Sequence, residues 1–208
     1  MRRKMMVQAV VDQRGFLGLM VCVVFFACGI IAGTFSARNL DAANTHALQE
    51  RMMGYMEQIR AETFVSPGFW SVLWTTGRDH LLVLFLGFSL LGVFCLPILS
   101  AVRGFYLSFS IATFIRAFGA GGVSVAFSLF GVGALFTVPA FFILVTYAFR
   151  ASAEMGSAIL SQGKLQAGKL YGSAYFIKVA LCFLGILVAV LVELYVTPAL
   201  VSWTSSFL

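Results

Sequence analysis

Apolar residues in this chain come in runs too long for the helices of a soluble core. Two polar stretches and a few glycines, prolines and arginines divide them. Residues 15–37 (GFLGLMVCVVFFACGIIAGTFSA) are 23 in number and carry no charge. About 20 residues cross a hydrocarbon core, so the run predicts a membrane-spanning helix and is long for the apolar part of a signal peptide. A second apolar run, 80–102, ends at Arg103, and Pro97 predicts a kink near its end. A third, 104–119, is short. Only 12 residues separate Arg103 from Arg116, about 18 Å of helix. Arg116 therefore either snorkels to a membrane face or sits on a tilted helix.

Gly119, Ala120, Gly121 and Gly122 predict a break. The uncharged stretch 123–149 has 27 residues, long for one span. Gly131 and Gly133 divide it into a short interfacial or re-entrant helix at 122–131 and a span at 133–150. A last span is predicted at 173–196, with Lys178 near its start. Glu193 and Tyr195 lie near its end, and Pro198 stops it.

Charge sets the expected orientation. Residues 1–14 carry Arg2, Arg3, Lys4 and Arg14 against Asp12, whereas 38–79 carry four arginines against five acids. The positive-inside rule puts the N-terminus in the cytoplasm and 38–79 outside. Residues 150–172 carry three basic residues against Glu154 and form a second cytoplasmic segment; the C-terminus is then external. Within the external segment, 40–62 favours helix. Leu48, Met52, Met53, Met56 and Ile59 recur at helical spacing, an apolar stripe that either lies on lipid headgroups or packs against a partner. Phe69, Trp70 and Trp74 mark a membrane–water boundary. The expected fold is a single all-α membrane domain over 1–208. It has five spans, an external amphipathic helix and a short re-entrant helix, in a multi-pass protein of the cell membrane.

Composition agrees. The chain has 208 residues, 61% hydrophobic and 11% charged, with a mean hydropathy of +0.97. Soluble domains are about 45–50% apolar and about 25% charged. A soluble enzyme, a disordered tail and a disulfide-stapled secreted domain are excluded. The net charge of +6 forms no basic stripe interleaved with aromatics, so no nucleic-acid partner is expected. Cys22, Cys28, Cys95 and Cys182 lie in apolar runs without metal-site spacing.

Catalytic chemistry finds no footing. His46 and His80 are the only histidines and neither sits in HExxH; no phosphate-binding GxxxxGK[ST] is present. Asp79-His80 is the nearest acid–base pair, and its place at the edge of an apolar run predicts a capping, interfacial role. No catalytic residue, metal or cofactor is expected. The ionisable residues within spans are Arg116, Lys178 and Glu193, which are candidates by default. Gly29 and Gly33 form GxxxG, a face on which another helix or a second copy of the chain can pack.

The order of these elements resembles the stage II sporulation protein M (SpoIIM) family. The likeness rests on Leu91-Gly92, Leu96-Pro97 and Arg103-Gly104-Phe105, on the short third run from Arg116 to Gly122, on Pro139-Ala140, and on the ending Glu193, Tyr195, Thr197, Pro198. It covers roughly residues 10–205. One departure is Val132-Gly133-Ala134, where similar sequences often carry a proline and a polar residue. The resemblance implies a non-enzymatic scaffold of spore engulfment that localises two cell-wall hydrolases, SpoIID-like and SpoIIP-like, at the septal membrane. Glu193, Tyr195, Pro198, Met52, Met56 and Arg116 are the expected structural or partner-contact residues. A small transporter or channel is the alternative, and it requires a polar cavity at mid-membrane depth.

Overall fold

A computed structural model of the chain describes residues 2–41, 46, 50, 53, 54, 57, 68–160 and 173–204. The described residues contain no strand. Among the described residues, α-helices follow in order: α1 Arg2–Arg38, α2 Phe69–Gly87, α3 Gly92–Ala126, α4 Val132–Leu160, α5 Ser173–Leu191 and α6 Thr197–Thr204. Two π-helical turns, Phe127–Gly131 and Val192–Val196, join α3 to α4 and α5 to α6. Gly15–Arg38, Gly92–Ile159 and Tyr175–Val201 are long and apolar enough to cross a membrane.

The expected run at 80–102 is not one helix. Phe88 to Leu91 form a tight turn, so α2 and α3 are a hairpin. The local signals for it are Gly87 and Gly92 on either side and Ser89, whose Oγ accepts from the Leu91 N–H at 3.2 Å. The turn is held from α4: the fully buried Ser152 Oγ donates to the Ser89 carbonyl at 2.6 Å and accepts from the Val93 N–H at 3.1 Å. One hydroxyl thus satisfies the Val93 N–H at the start of α3 and adds a second donor to the Ser89 carbonyl, which also accepts from the Gly92 N–H. Gly87 lies against Ala148 and Gly92 against Ser152, so the hairpin comes close to α4.

The break expected at 119–122 narrows to one residue. Gly119 has φ 61° and ψ −138°, a backbone state that favours glycine. The chain folds back there. Gly122 meets the Phe114 carbonyl, eight residues earlier, which a continuous helix would hold about 12 Å away. The short helix expected at 122–131 is not a separate element, because it runs through the π-turn into α4 without a loop. Gly133 does not divide the helix, and α4 continues to Leu160. Within the expected external helix, His46, Glu50, Met53, Gly54 and Glu57 are helical; Met52 and Met56 lie outside the described residues.

Helices α1 and α3 run side by side in the same direction. Gly29 lies against the Ala101 carbonyl, Gly33 against the Phe105 carbonyl and Ser108, and Gly104 against the Phe26 carbonyl. The GxxxG face is therefore covered by the chain's own α3. The main core draws on all five long helices: Cys22, Val83, Leu96, Phe141, Leu144 and Cys182. Trp70, Trp74 and Trp203 are exposed at the start of α2 and the end of α6. That end of the bundle also holds the last turn of α1.

Candidate functional site

The hairpin brings Asp79 of α2 and Arg103 of α3 together. Arg103 Nη1 donates to Asp79 Oδ2 at 3.0 Å, and Arg103 is the more buried partner, its side chain 14% exposed. The sequence reading separates these residues by a whole span, at opposite ends of 80–102. Its missed signal was the third run, too short to cross a membrane, beside glycines at 87 and 92 that bracket the real turn. The depth of the pair follows from its neighbours. Gly104 touches Phe26, half-way along the apolar stretch Gly15–Arg38. The ion pair therefore lies midway along the bundle, far from either end.

Aromatic and polar groups hold it. The guanidinium of Arg103 sits 4.9 Å above the Phe141 ring centroid of α4. His80 packs edge-on to the same ring, centroids 5.9 Å apart. The interfacial, capping role expected for Asp79-His80 is not what the fold shows. His80 is fully buried well inside α2, its Nδ1 3.2 Å from the Thr76 carbonyl and its Nε2 3.1 Å from the Thr137 carbonyl. A neutral ring has one N–H, so it donates to one of these carbonyls; either bond ties the ring to backbone.

A cleft of about 600 Å³ opens beside the pair, between α2, α3, α4 and the α5–α6 junction. Arg78 flanks it with Nε 3.6 Å from Asp79, and its side chain is largely exposed. Glu193 enters from the π-turn and accepts a hydrogen bond from Thr76 Oγ1 at 3.2 Å. Both π-turns contribute lining residues, Leu129 and Phe130 from one and Glu193 from the other. Such turns are frequent at functional sites. The second has a local cause: Pro198 has no N–H to continue the α-helical ladder, and Thr197 Oγ1 bonds the Val192 carbonyl five residues back.

The remaining sequence candidates separate. Glu193 faces the cleft, whereas Tyr195, two residues on, is 74% exposed on the outside of the bundle. Lys178 lies over the Tyr147 ring at 4.5 Å and donates to its hydroxyl, a clamp between α4 and α5. Arg116 closes the end of α1. Its Nη1 donates to the Ala37 carbonyl at 2.9 Å and to the Arg38 carbonyl, and its Nη2 donates to the Leu40 carbonyl at 2.9 Å. A cation at a helix C-terminus meets unpaired carbonyls and the negative end of the dipole. Arg116→Ala should therefore cost about 2 kcal/mol, given the strength of hydrogen bonds from a charged donor. Thermal unfolding in detergent would show it as a lower midpoint, with Arg116→Lys between the two.

The sequence model of the family described as stage II sporulation protein M matches residues 22–198. The chain belongs to the stage II sporulation protein M family. No curated protein and no solved structure matches it. The match takes in Asp79, Arg103, Glu193 and the hairpin between them, and it ends at the proline that follows the second π-turn. In this member of the stage II sporulation protein M family, then, the family region and the helical bundle around the cleft coincide.

Proposed function

We propose that this protein is a non-enzymatic, multi-pass scaffold of the sporulation engulfment machinery, which holds SpoIID-like and SpoIIP-like cell-wall hydrolases at the septal membrane. The match to the stage II sporulation protein M family over residues 22–198 carries this reading. In it, α1 to α5 each cross the membrane, the N-terminus is cytoplasmic and the tryptophan end faces outward. The exposed Tyr195 is then at the outer end of the bundle, on the side where wall hydrolases work. Its ring is free to pack on a partner helix, whereas Glu193 is turned inward.

The test is where the hydrolases go. Fluorescent fusions of the two should gather at the septum in cells with the wild-type protein and scatter along the membrane in cells without it. Tyr195→Ala should fold normally and still scatter them. Hydrolases that find the septum without this protein would defeat the reading.

The cleft favours a second reading, a small transporter or channel. A charged pair midway along an apolar bundle, beside a 600 Å³ cleft, is the feature a substrate path needs. Solute flux into liposomes holding the purified protein would favour it.

A further inference from the structure

The cleft has a charge arrangement that the scaffold reading leaves unused. Its volume of about 600 Å³ is that of a small-molecule site. Asp79 faces two guanidiniums, Arg103 at 3.0 Å and Arg78 at 3.6 Å. Glu193 faces none: among the described residues its hydrogen-bond partner is the Thr76 hydroxyl. The two arginines share one carboxylate, and on the neighbouring wall a second carboxylate stands without a cation. At the depth of an apolar helix each of these charges is costly unless it is paired. The rim carries Leu82 and Tyr106, both at least half exposed, so the cleft opens sideways from the bundle as well as inward.

A ligand that satisfies both walls carries a primary ammonium for Glu193 and an anionic group with several oxygens for the arginines, whose planar forks suit such anions. We propose that the cleft binds a small ammonium–phosphate zwitterion. That chemistry has two sources, a free amino-phosphate and the ethanolamine headgroup of a phospholipid. The proposal does not rest on the scaffold reading or on the transport reading, because it requires binding and neither partners nor flux.

The probes are O-phosphoethanolamine, titrated calorimetrically into the full-length protein in neutral detergent, and nanodiscs of phosphatidylcholine with or without phosphatidylethanolamine, with retained lipid counted by native mass spectrometry. Saturable binding of O-phosphoethanolamine supports the proposal with a free ligand. Retention of phosphatidylethanolamine alone supports it with a lipid headgroup. In either case Glu193→Gln and Arg78→Gln should each weaken binding at least about tenfold while eluting as folded protein, since both side chains are partly exposed. Phosphatidylcholine, whose quaternary ammonium has no N–H to donate, should be retained less. Failure of the wild type to bind either probe, equal binding by Glu193→Gln, or equal retention of phosphatidylcholine would each overturn it.

Discussion

Leucine at Gly104 should leave almost no folded protein in a detergent extract, and leucine at Gly29 should do nearly the same. At both positions the first side-chain carbon would collide with backbone of the opposite helix, the Phe26 carbonyl in one case and the Ala101 carbonyl in the other. Backbone cannot step aside as a flexible side chain can. The two helices must separate, and their contact is the longest in the bundle. Small residues at such a crossing let helices approach closely where lipid supplies no hydrophobic drive. Overpacking costs about 1–3 kcal/mol when side chains can yield, and more is expected here because they cannot. Gly77→Ala is the control. Nothing lies within 4 Å of its would-be side chain, so alanine there should be neutral or stabilise α2 by about 0.5–1 kcal/mol. Size-exclusion profiles and unfolding midpoints of the three variants would separate the cases. A Gly104→Leu protein that elutes and unfolds like the wild type would refute the packing of α1 on α3.

Removing one partner of the Asp79–Arg103 pair should cost more than removing both. Arg103→Leu leaves Asp79 with the largely exposed, solvent-screened Arg78 at 3.6 Å, and Asp79→Leu leaves Arg103 buried with no carboxylate. Stranding a buried charge costs about 3–5 kcal/mol, whereas replacing a whole pair with apolar groups of similar size is often neutral. Asp79 is about one-third exposed, which places the expected loss toward the lower end of that range. Each single variant should therefore melt well below the wild type, and Asp79→Leu/Arg103→Leu should recover much of the difference. Fold stability restored together with a loss of zwitterion binding would also separate the structural role of the pair from its role in the cleft. If the two single losses simply add in the double variant, the residues are not partners.

Much of the architecture was legible in the sequence. The apolar run 15–37 and the break at Gly119 come from local signals, and the helices follow them closely. Pro198 does not stop the last helix, because it falls in the first turn of α6, where a missing N–H is tolerated, and the helical run continues to Thr204. Glu193 stood out because an acid among apolar residues is rare. Asp79 and Arg103 misled because charges at the edges of an apolar run usually mark its membrane boundaries. Here they neutralise each other inside the bundle, which is possible only because the chain turns at 88–91. That turn depends on Ser152, some sixty residues away, and no local pattern reports a partner so distant. Gly131 and Gly133 predict a division; the π-turn ends at Gly131 and α4 begins at Val132, but the two join without a loop. The separation of Glu193 from Tyr195 is legible in the spacing, since residues two apart on a helix point to nearly opposite faces.

The central claim, a scaffold for wall hydrolases, is tested most directly by what the protein carries with it. The tagged full-length chain would be extracted from its own host in mild detergent during sporulation, and co-purifying proteins identified by mass spectrometry. The account predicts recovery of SpoIID-like and SpoIIP-like hydrolases with the wild type and their loss with Tyr195→Ala. A well-folded extract that brings down neither hydrolase would contradict it.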